Sequence, residues 1–398
     1  MMRDPLFRMA LVLGLLSAVG PFAIDMYLPA LPQVAADLRV TEDVAARTLT
    51  SYFIVFGLAQ MIYGPMADAI GRKKPLILGV AIFLIGTIAA ATAPTIGWLI
   101  FARGIQGLGA ATLMAVPRAV IRDMATGPAA AKMMAAIMIV IAVSPMLAPL
   151  TGSLVMAWGG WREIFAVLAV AAFLSLGLIV FVLPETLPED QRKPVRVDVM
   201  LAAGRRLVQD RRFMGLTMIG GFGMASFFVF LSAASFVYTK QYGLSEMEFS
   251  LAFAVNAIGF FTASQFASKF AQRFGMERVI SLAITGFAGA TLMLTAVVWS
   301  GFDSLPVVMA GLFIGNAFLG LVMPTAMVMS LDPHPDIAGL ASSIGGTFQM
   351  LTGGVMIAIA GPFMDNTAST MVPAIALCAV LAWATAAASL PRLRLGWR

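Results

Sequence analysis

Two charged side chains stand in runs of sequence that are otherwise apolar: Asp25, at the end of a stretch beginning at Met9, and Arg103, between Trp98-Leu-Ile-Phe-Ala and Gly-Ile-Gln-Gly-Leu-Gly. A charge at the centre of a bilayer costs about 2.5–3.5 kcal/mol on insertion scales, so one kept there has a partner or a water-filled cavity. A carboxylate beside an apolar cavity can be tuned by burial and by a neighbouring arginine, and such a group can load and unload a proton. The plain alternative is a structural ion pair that only orders the surrounding helices. Other chemistry is thinly supplied. The one cysteine, Cys378, excludes an intramolecular disulfide framework or a CxxC site, and the one histidine, His334, excludes a multi-histidine metal cluster. His334 reads as a solvated loop residue. Neither GxxxxGK[ST] nor HExxH occurs, so the chain has no phosphate loop or zinc-protease helix of its own.

The elements that must position these charges follow from composition. Of 398 residues 60% are hydrophobic and 12% charged, the balance of an all-α polytopic membrane protein. Apolar runs of about twenty residues give twelve spans. They are Phe7–Ala30, Ala46–Ala67, Pro75–Ala93, Trp98–Arg122, Ala131–Ala157, Ile164–Leu183, Phe213–Thr239, Phe249–Ala271, Val279–Trp299, Leu305–Leu331, Ala338–Phe363 and Met371–Leu390. A signal peptide is a poor reading of the first span, because Asp25 interrupts it before any cleavage site. At 1.5 Å of rise per residue, Asp25 and Arg103 lie roughly 7–10 Å below the outer ends of spans one and four, so they can face each other. Of the 26 Lys and Arg, 21 fall in the termini and even-numbered loops. Both termini are therefore expected on the cytoplasmic side of a bacterial inner membrane. The net charge of +6 is an inside-facing bias toward topology and anionic lipid, with no nucleic acid implied.

The long polar segment Pro184–Arg212 reads as a cytoplasmic linker between an N-terminal six-helix half, residues 1–183, and a C-terminal one, 213–398. A faint internal repeat supports the division. The loop Gly64-Pro-Met-Ala-Asp68-Ala-Ile-Gly71-Arg72-Lys-Lys after span two matches the spacing of Ser268-Lys-Phe-Ala-Gln-Arg-Phe-Gly275-Met-Glu-Arg after span eight.

Gly64–Lys74 resembles the G-x-x-x-D-x-x-G-R-[RK]-[RK] signature of the major facilitator superfamily, and Leu99–Ala111 resembles its fourth-helix arginine motif. Ser144-Pro145-Met-Leu-Ala148-Pro149-Leu-Thr-Gly152-Ser153 is similar to the fifth-helix antiporter motif. Asp25-Met-Tyr27-Leu-Pro-Ala-Leu-Pro32 narrows the likeness to bicyclomycin- and chloramphenicol-type drug/proton antiporters, the Bcr/CflA group. The loop departs from the pattern at Ala69, and the fifth-helix motif has Ser144, Ala148 and Ser153 in place of glycines; small residues still permit close packing. The resemblance implies proton coupling at Asp25 with Arg103 setting its environment. It also implies a cytoplasmic gate of Gly64, Asp68, Gly71, Arg72 and Asp123 that fastens the halves together, Arg72 pairing with Asp123 and Asp68 facing the start of span eleven.

Tyr27 and Gln106 are candidates to support the charged pair or the substrate, Gln106 being three residues from Arg103 and able to point the same way. It can equally be an interhelical hydrogen-bond donor. Spans seven and eight are rich in aromatics, the polar points of the second half are few (Ser235, Asn256, Asn316 and Gln349), and the chain holds 28 methionines. That composition suits a broad apolar pocket, or ordinary interhelical filler. Phe227, Phe230, Tyr238 and Asn256 are the candidates for its wall. The leading expectation is a monomeric, proton-coupled multidrug exporter with no cofactor. A transporter of a defined metabolite, such as a sugar or amino-acid derivative, and an intramembrane enzyme or lipid-handling protein are the alternatives.

Overall fold

A computed structural model of the chain describes residues 5–125, 127–192, 194 and 197–390. Arg3, Lys193, Arg196, Arg392, Arg394 and Arg398, which carry part of the charge bias, lie outside the described residues. Twelve helices among the described residues are long and apolar enough to cross a membrane, as the sequence predicts.

The first of them, Arg8–Asp37, is interrupted. Helix α1 (Pro5–Asp25) ends at the acid, a single 3-10 turn covers Leu28–Ala30, and α2 (Leu31–Asp37) resumes. Pro29 and Pro32 lack the N–H groups that would bond back to the carbonyls of Asp25 and Leu28, which weakens the helix where it gives way to the 3-10 turn. The expected end at Ala30 is thus too early. The apolar span continues for twelve residues beyond Asp25, which places the acid deeper than an estimate from Ala30 allows.

Next come α3 (Glu42–Ile70), α4 (Lys73–Ala91), α5 (Ile96–Met124), α6 (Gly127–Met156) and α7 (Trp161–Phe181). The chain divides by contacts into two compact units, the first comprising residues up to Val40 and Ser51–Val197, the second Thr41–Thr50 and residues from Asp198 onward. In the first unit α4 packs on α5 and α7, and α1 packs on α6 and α5. Small residues let α6 come close: a Cβ added at Gly152 would strike the backbone of Met26, at the break in α1.

The second unit contains α8 (Val197–Gln209), α9 (Arg211–Phe236), α10 (Glu246–Phe274), α11 (Met276–Trp299), α12 (Leu305–Leu331), α13 (Ala338–Ala360) and α14 (Ala368–Ser389). Helix α9 packs on α12, α13 and α14, and α12 on α10 and α11. Ile280, Ile284, Phe287, Leu319 and Val322 form the buried centre. Helix α8 lies within Pro184–Arg212, the segment read as a linker. It buries Leu207 against Phe213, Ala341 and Ile344 while Leu201 stays exposed. Its charge hides an apolar stripe at helical spacing.

Candidate functional site

Arg103 lies two turns into α5 and is completely buried. Its Nη1 donates to the carbonyl of Ala23 in α1 at 3.0 Å and to Gln106 Oε1. The guanidinium carbon lies 4.5 Å from the ring centre of Tyr52, 4.9 Å from Tyr27 and 5.8 Å from Phe165. A cation over an aromatic face gains about 2 kcal/mol when desolvated, and here three faces share one charge. The Gln106 amide is held in turn: its Nε2 donates to Thr87 Oγ1 at 2.8 Å, and that hydroxyl donates to Phe83 O at 2.7 Å. The i+3 spacing thus brings Gln106 to Arg103 as the helix period requires.

Asp25 is buried beside this cage but is not part of it. The expectation that Asp25 and Arg103 pair face to face is corrected: among the described residues Asp25 makes no ion pair, with Arg103 or any other cation. A carbonyl and an amide take up Nη1 and three ring centres lie 4.5–5.8 Å from the guanidinium carbon, while Nε and Nη2 have no hydrogen-bond partner among the described residues. Tyr52 stands between them, its hydroxyl within electrostatic reach of both Arg103 and Asp25 and donating to Gly20 O at 3.2 Å. Tyr52, Phe165 and Thr87 did not emerge from the sequence. The signal was present for Tyr52, one of only five tyrosines, since a lipid-buried arginine demands electron-rich partners.

On α6, Ser144, Pro145, Ala148, Pro149 and Gly152 lie on the helix that packs against α1, with Ser144 and Ala148 fully buried. Their small side chains account for the close approach at Met26.

A second cluster sits at the turn from α3 to α4. Gly71 has φ +94°, left-handed backbone that other residues rarely adopt, and the Glu185 carboxylate fills the space where a Cβ would stand. Arg72, 6% exposed, donates from Nε to Asp123 Oδ2 at 2.7 Å, from Nη2 to Asp123 Oδ1 at 3.3 Å and from Nη1 to Asp68 at 2.5 Å. Burial works against the Arg72 charge, but Asp123 and Asp68 outweigh it and hold the proton above the ordinary arginine range. The pairing of Arg72 with Asp123, implied by the resemblance, is present. Gly64 lies inside α3, directly before Pro65.

Glu185 and Thr186, just past α7, were missed by the sequence reading. Glu185 accepts from the backbone N–H of Arg72 at 2.8 Å, of Lys73 at 3.2 Å and of Leu187 at 3.1 Å. Arg72 supplies no side-chain cap to α4, so a carboxylate from elsewhere caps that helix. Burial opposes its charge, yet these amides hold Glu185 below the usual glutamate range. Thr186 Oγ1 donates to Asp123 Oδ2 at 3.1 Å and helps aim it at Arg72.

In the second unit Phe230 stacks on Phe253 with centroids 5.7 Å apart and planes at 7°, and Phe227 stacks on Phe260 at 6.0 Å. Tyr238 lies edge-on to Phe230 at 6.4 Å. Three of the four wall candidates thus belong to one aromatic cluster, Phe230 and Tyr238 buried and Phe227 partly so, and Asn256 is buried on α10. His334 is corrected as well. It is 5% exposed rather than solvated, hydrogen-bonded to Asp210 at 2.9 Å and edge-on to Phe213. Asp210 caps α9 through the amides of Arg212 and Phe213; burial opposes its charge, but these amides and His334 hold it below the usual carboxylate range.

Residues 13–357 match the family model described as Major Facilitator Superfamily. The MFS-type transporter YdgK of Bacillus subtilis (strain 168) is 32% identical over 92% of this chain and 90% of its own length. The bicyclomycin resistance protein homolog of Haemophilus influenzae (strain ATCC 51907 / DSM 11121 / KW20 / Rd) is 29% identical over 94% of each chain. The crystal structure of a D-xylose-proton symporter superposes with a TM-score of 0.72 at 19% identity, covering 96% of this chain and 98% of the other, which is a likeness of fold.

Proposed function

The chain belongs to the major facilitator superfamily, and from that premise we propose that it exports amphipathic, drug-like compounds in exchange for protons. In this reading it is a multidrug antiporter of the Bcr/CflA type, working by alternating access as a monomer in the bacterial inner membrane with both termini cytoplasmic. The H. influenzae relative named for bicyclomycin resistance supports the substrate class. The excess of Lys and Arg in the termini and even-numbered loops supports the orientation.

One observation carries the proton step: Asp25 is buried without an ion-pair partner among the described residues, near an arginine that bonds to Ala23 O and lies over the Tyr52 ring instead of pairing with it. An acid locked to Arg103 would stay ionised. An acid left free beside it can bind a proton from one side and release it on the other as its surroundings alternate between wet and dry. Tyr27, Tyr52 and Gln106 hold the cation so that proton exchange at Asp25 leaves Arg103 in place. On the Gly71 side, Arg72 with Asp68 and Asp123 forms the gate cluster, and Phe227, Phe230, Tyr238 and Asn256 contribute to the substrate wall.

Transport into inverted vesicles tests this reading. An inside-acid pH gradient should drive accumulation of drug, and a protonophore should abolish it. Uptake that ignores the gradient would overturn proton coupling, and a defined polar metabolite as the only transported solute would replace the drug reading.

A further inference from the structure

The last turns of α9 carry hydrogen-bonding capacity that the fold leaves unused. Ser235 Oγ, Tyr238 Oη and, on α10, Asn256 Oδ1 have no hydrogen-bond partner among the described residues, and the three residues are at most 1% exposed. Ser235 and Tyr238 are three positions apart and share a face. The Asn256 amide lies close enough to act electrostatically on the Tyr238 hydroxyl, without the alignment of a hydrogen bond. Asn256 Nδ2 is already committed to Ala252 O at 3.3 Å, so what remains on that side chain is an acceptor.

The surroundings are aromatic. Phe230 and Phe253 stack in parallel, and Phe249 meets Tyr238 edge-on at 6.0 Å and 74°. The backbone is unusual at the same place: α9 continues as a π-helix over Val237–Gln241. Such segments concentrate at functional sites, because the extra residue per turn re-aims side chains at the expense of regular bonding. Outer contacts hold the distortion. Gln241 bonds to Asp303 Oδ2 at 2.7 Å and accepts from Ala368 N at 2.6 Å, while Tyr242 Oη donates to Asp303 O at 2.5 Å.

A buried polar atom without a partner is costly, and three occur here, two of them three residues apart at the end of α9 and the third on α10 beside Tyr238. We propose that Ser235, Tyr238 and Asn256 form a recognition niche for the hydroxyl- or amide-bearing end of a neutral aryl compound, whose ring lies against Phe230 and Phe253. Asn256 Oδ1 calls for a donor, whereas the two hydroxyls can give or accept, so an alcohol or amide satisfies all three. None of these five residues is charged, so nothing in the niche would repay the desolvation of a cation by an ion pair. The niche rests on the exporter reading and refines it: neutral hydrogen-bonding aryl compounds use it, and permanent cations do not.

Equilibrium binding to the purified full chain distinguishes the two. The probes are chloramphenicol, a neutral aryl compound with hydroxyls and an amide, and tetraphenylphosphonium, an aryl cation without donors. Tyr238→Phe, Asn256→Leu and Ser235→Ala should each weaken chloramphenicol binding roughly five- to tenfold, and weaken tetraphenylphosphonium by a clearly smaller factor. Melting temperature should be unchanged or raised in Tyr238→Phe and Ser235→Ala, because neither removes a hydrogen bond made by its hydroxyl in this state. No chloramphenicol binding to the wild type, or equal losses for both probes, would overturn the niche. Proton-driven tetraphenylphosphonium transport in inverted vesicles keeps the two proposals apart: transport with unaltered chloramphenicol affinity in all three variants sinks the niche alone, whereas no gradient-driven transport of either probe sinks the exporter reading itself.

Discussion

Both units turn between their second and third long helices on a glycine of positive φ, Gly71 at +94° and Gly275 at +84°, yet the two turns are held differently. Around Gly71 the Glu185 carboxylate occupies the Cβ position, and Arg72 is buried between Asp68 and Asp123. Around Gly275 nothing lies within 4 Å of that position. Arg72 is matched there by Met276 and Lys73 by Glu277, which makes a 3.3 Å pair with a well-exposed Arg212. An open cleft of about 710 Å³ lies beside the second turn. The same contrast recurs in the apolar interior, where the first unit buries Asp25 and Arg103 while α9, α10 and α12 of the second bury Ser235, Asn256 and Asn316. The backbone device is repeated and the charges are not. On the exporter reading proposed above, charge-dependent steps are assigned to the first unit and neutral recognition to the second.

The largest break in this asymmetry should come from Asp25→Asn. The amide keeps the shape of the acid and cannot titrate, so gradient-driven export should fall to background while the protein still folds and binds drug. Efflux at wild-type rate by a well-expressed Asp25→Asn chain would remove Asp25 from the mechanism.

Next in size is Arg103→Lys. An ammonium keeps the charge but loses the planar face that three rings share and the fork that reaches Ala23 O and Gln106 together. Losing about 1.4–2 kcal/mol of such contacts corresponds to roughly ten- to thirtyfold in transport. Tyr52→Leu should cost part of the same amount, and the double variant less than the sum, because both remove one contact. Full additivity would mean that Tyr52 acts without Arg103.

How much of this could be read beforehand depended on what each residue contacts. Twelve spans and the repeated glycine were legible, because hydrophobic length and local spacing determine them. So was the Arg72–Asp123 pair, through a resemblance that spans the chain. The cage around Arg103 was legible only in part: Gln106 sits three residues away on the same helix, but Tyr52, Thr87 and Phe165 come from three other helices, and no local spacing links them. Pro29 did announce the break after Asp25, yet apolar counting alone passed over it. Glu185 and His334 were hidden by position. Each stands in a polar stretch that composition assigns to solvent, and only the fold brings Glu185 onto free amides and His334 onto Asp210 and Phe213.

A smaller effect is expected from Arg72→Met, which gives the first turn the residue found in the second. The substitution removes the bonds to both Asp68 and Asp123 and leaves those carboxylates without their cation. Transport should drop several-fold, and a cysteine introduced beside Asp123 should become more reactive to a membrane-impermeant thiol reagent in inverted vesicles. Unchanged labelling alongside lost transport would separate Arg72 from the gate.

The smallest effects sharpen the comparison at matched positions. Glu185→Gln leaves an acceptor for the amides of Arg72 and Lys73 but gives up the charge-assisted part of both bonds, and its NH2 group can turn toward them. Because folding holds the Glu185 carboxyl below the ordinary glutamate range, its contribution is complete above that range, near pH 4.3, and is lost as the pH falls through the depressed value. Melting of the wild type should therefore drop toward the mutant's as the solution is acidified, the two meeting once Glu185 is protonated. Glu277→Gln takes the charge from a 3.3 Å pair whose arginine is well exposed, and such pairs contribute little, so transport should stay within about twofold and the melting difference should show no matching acid dependence. If Glu277→Gln cost as much as Glu185→Gln, the second turn would be charge-held after all, and the division of labour between the units would have to be abandoned.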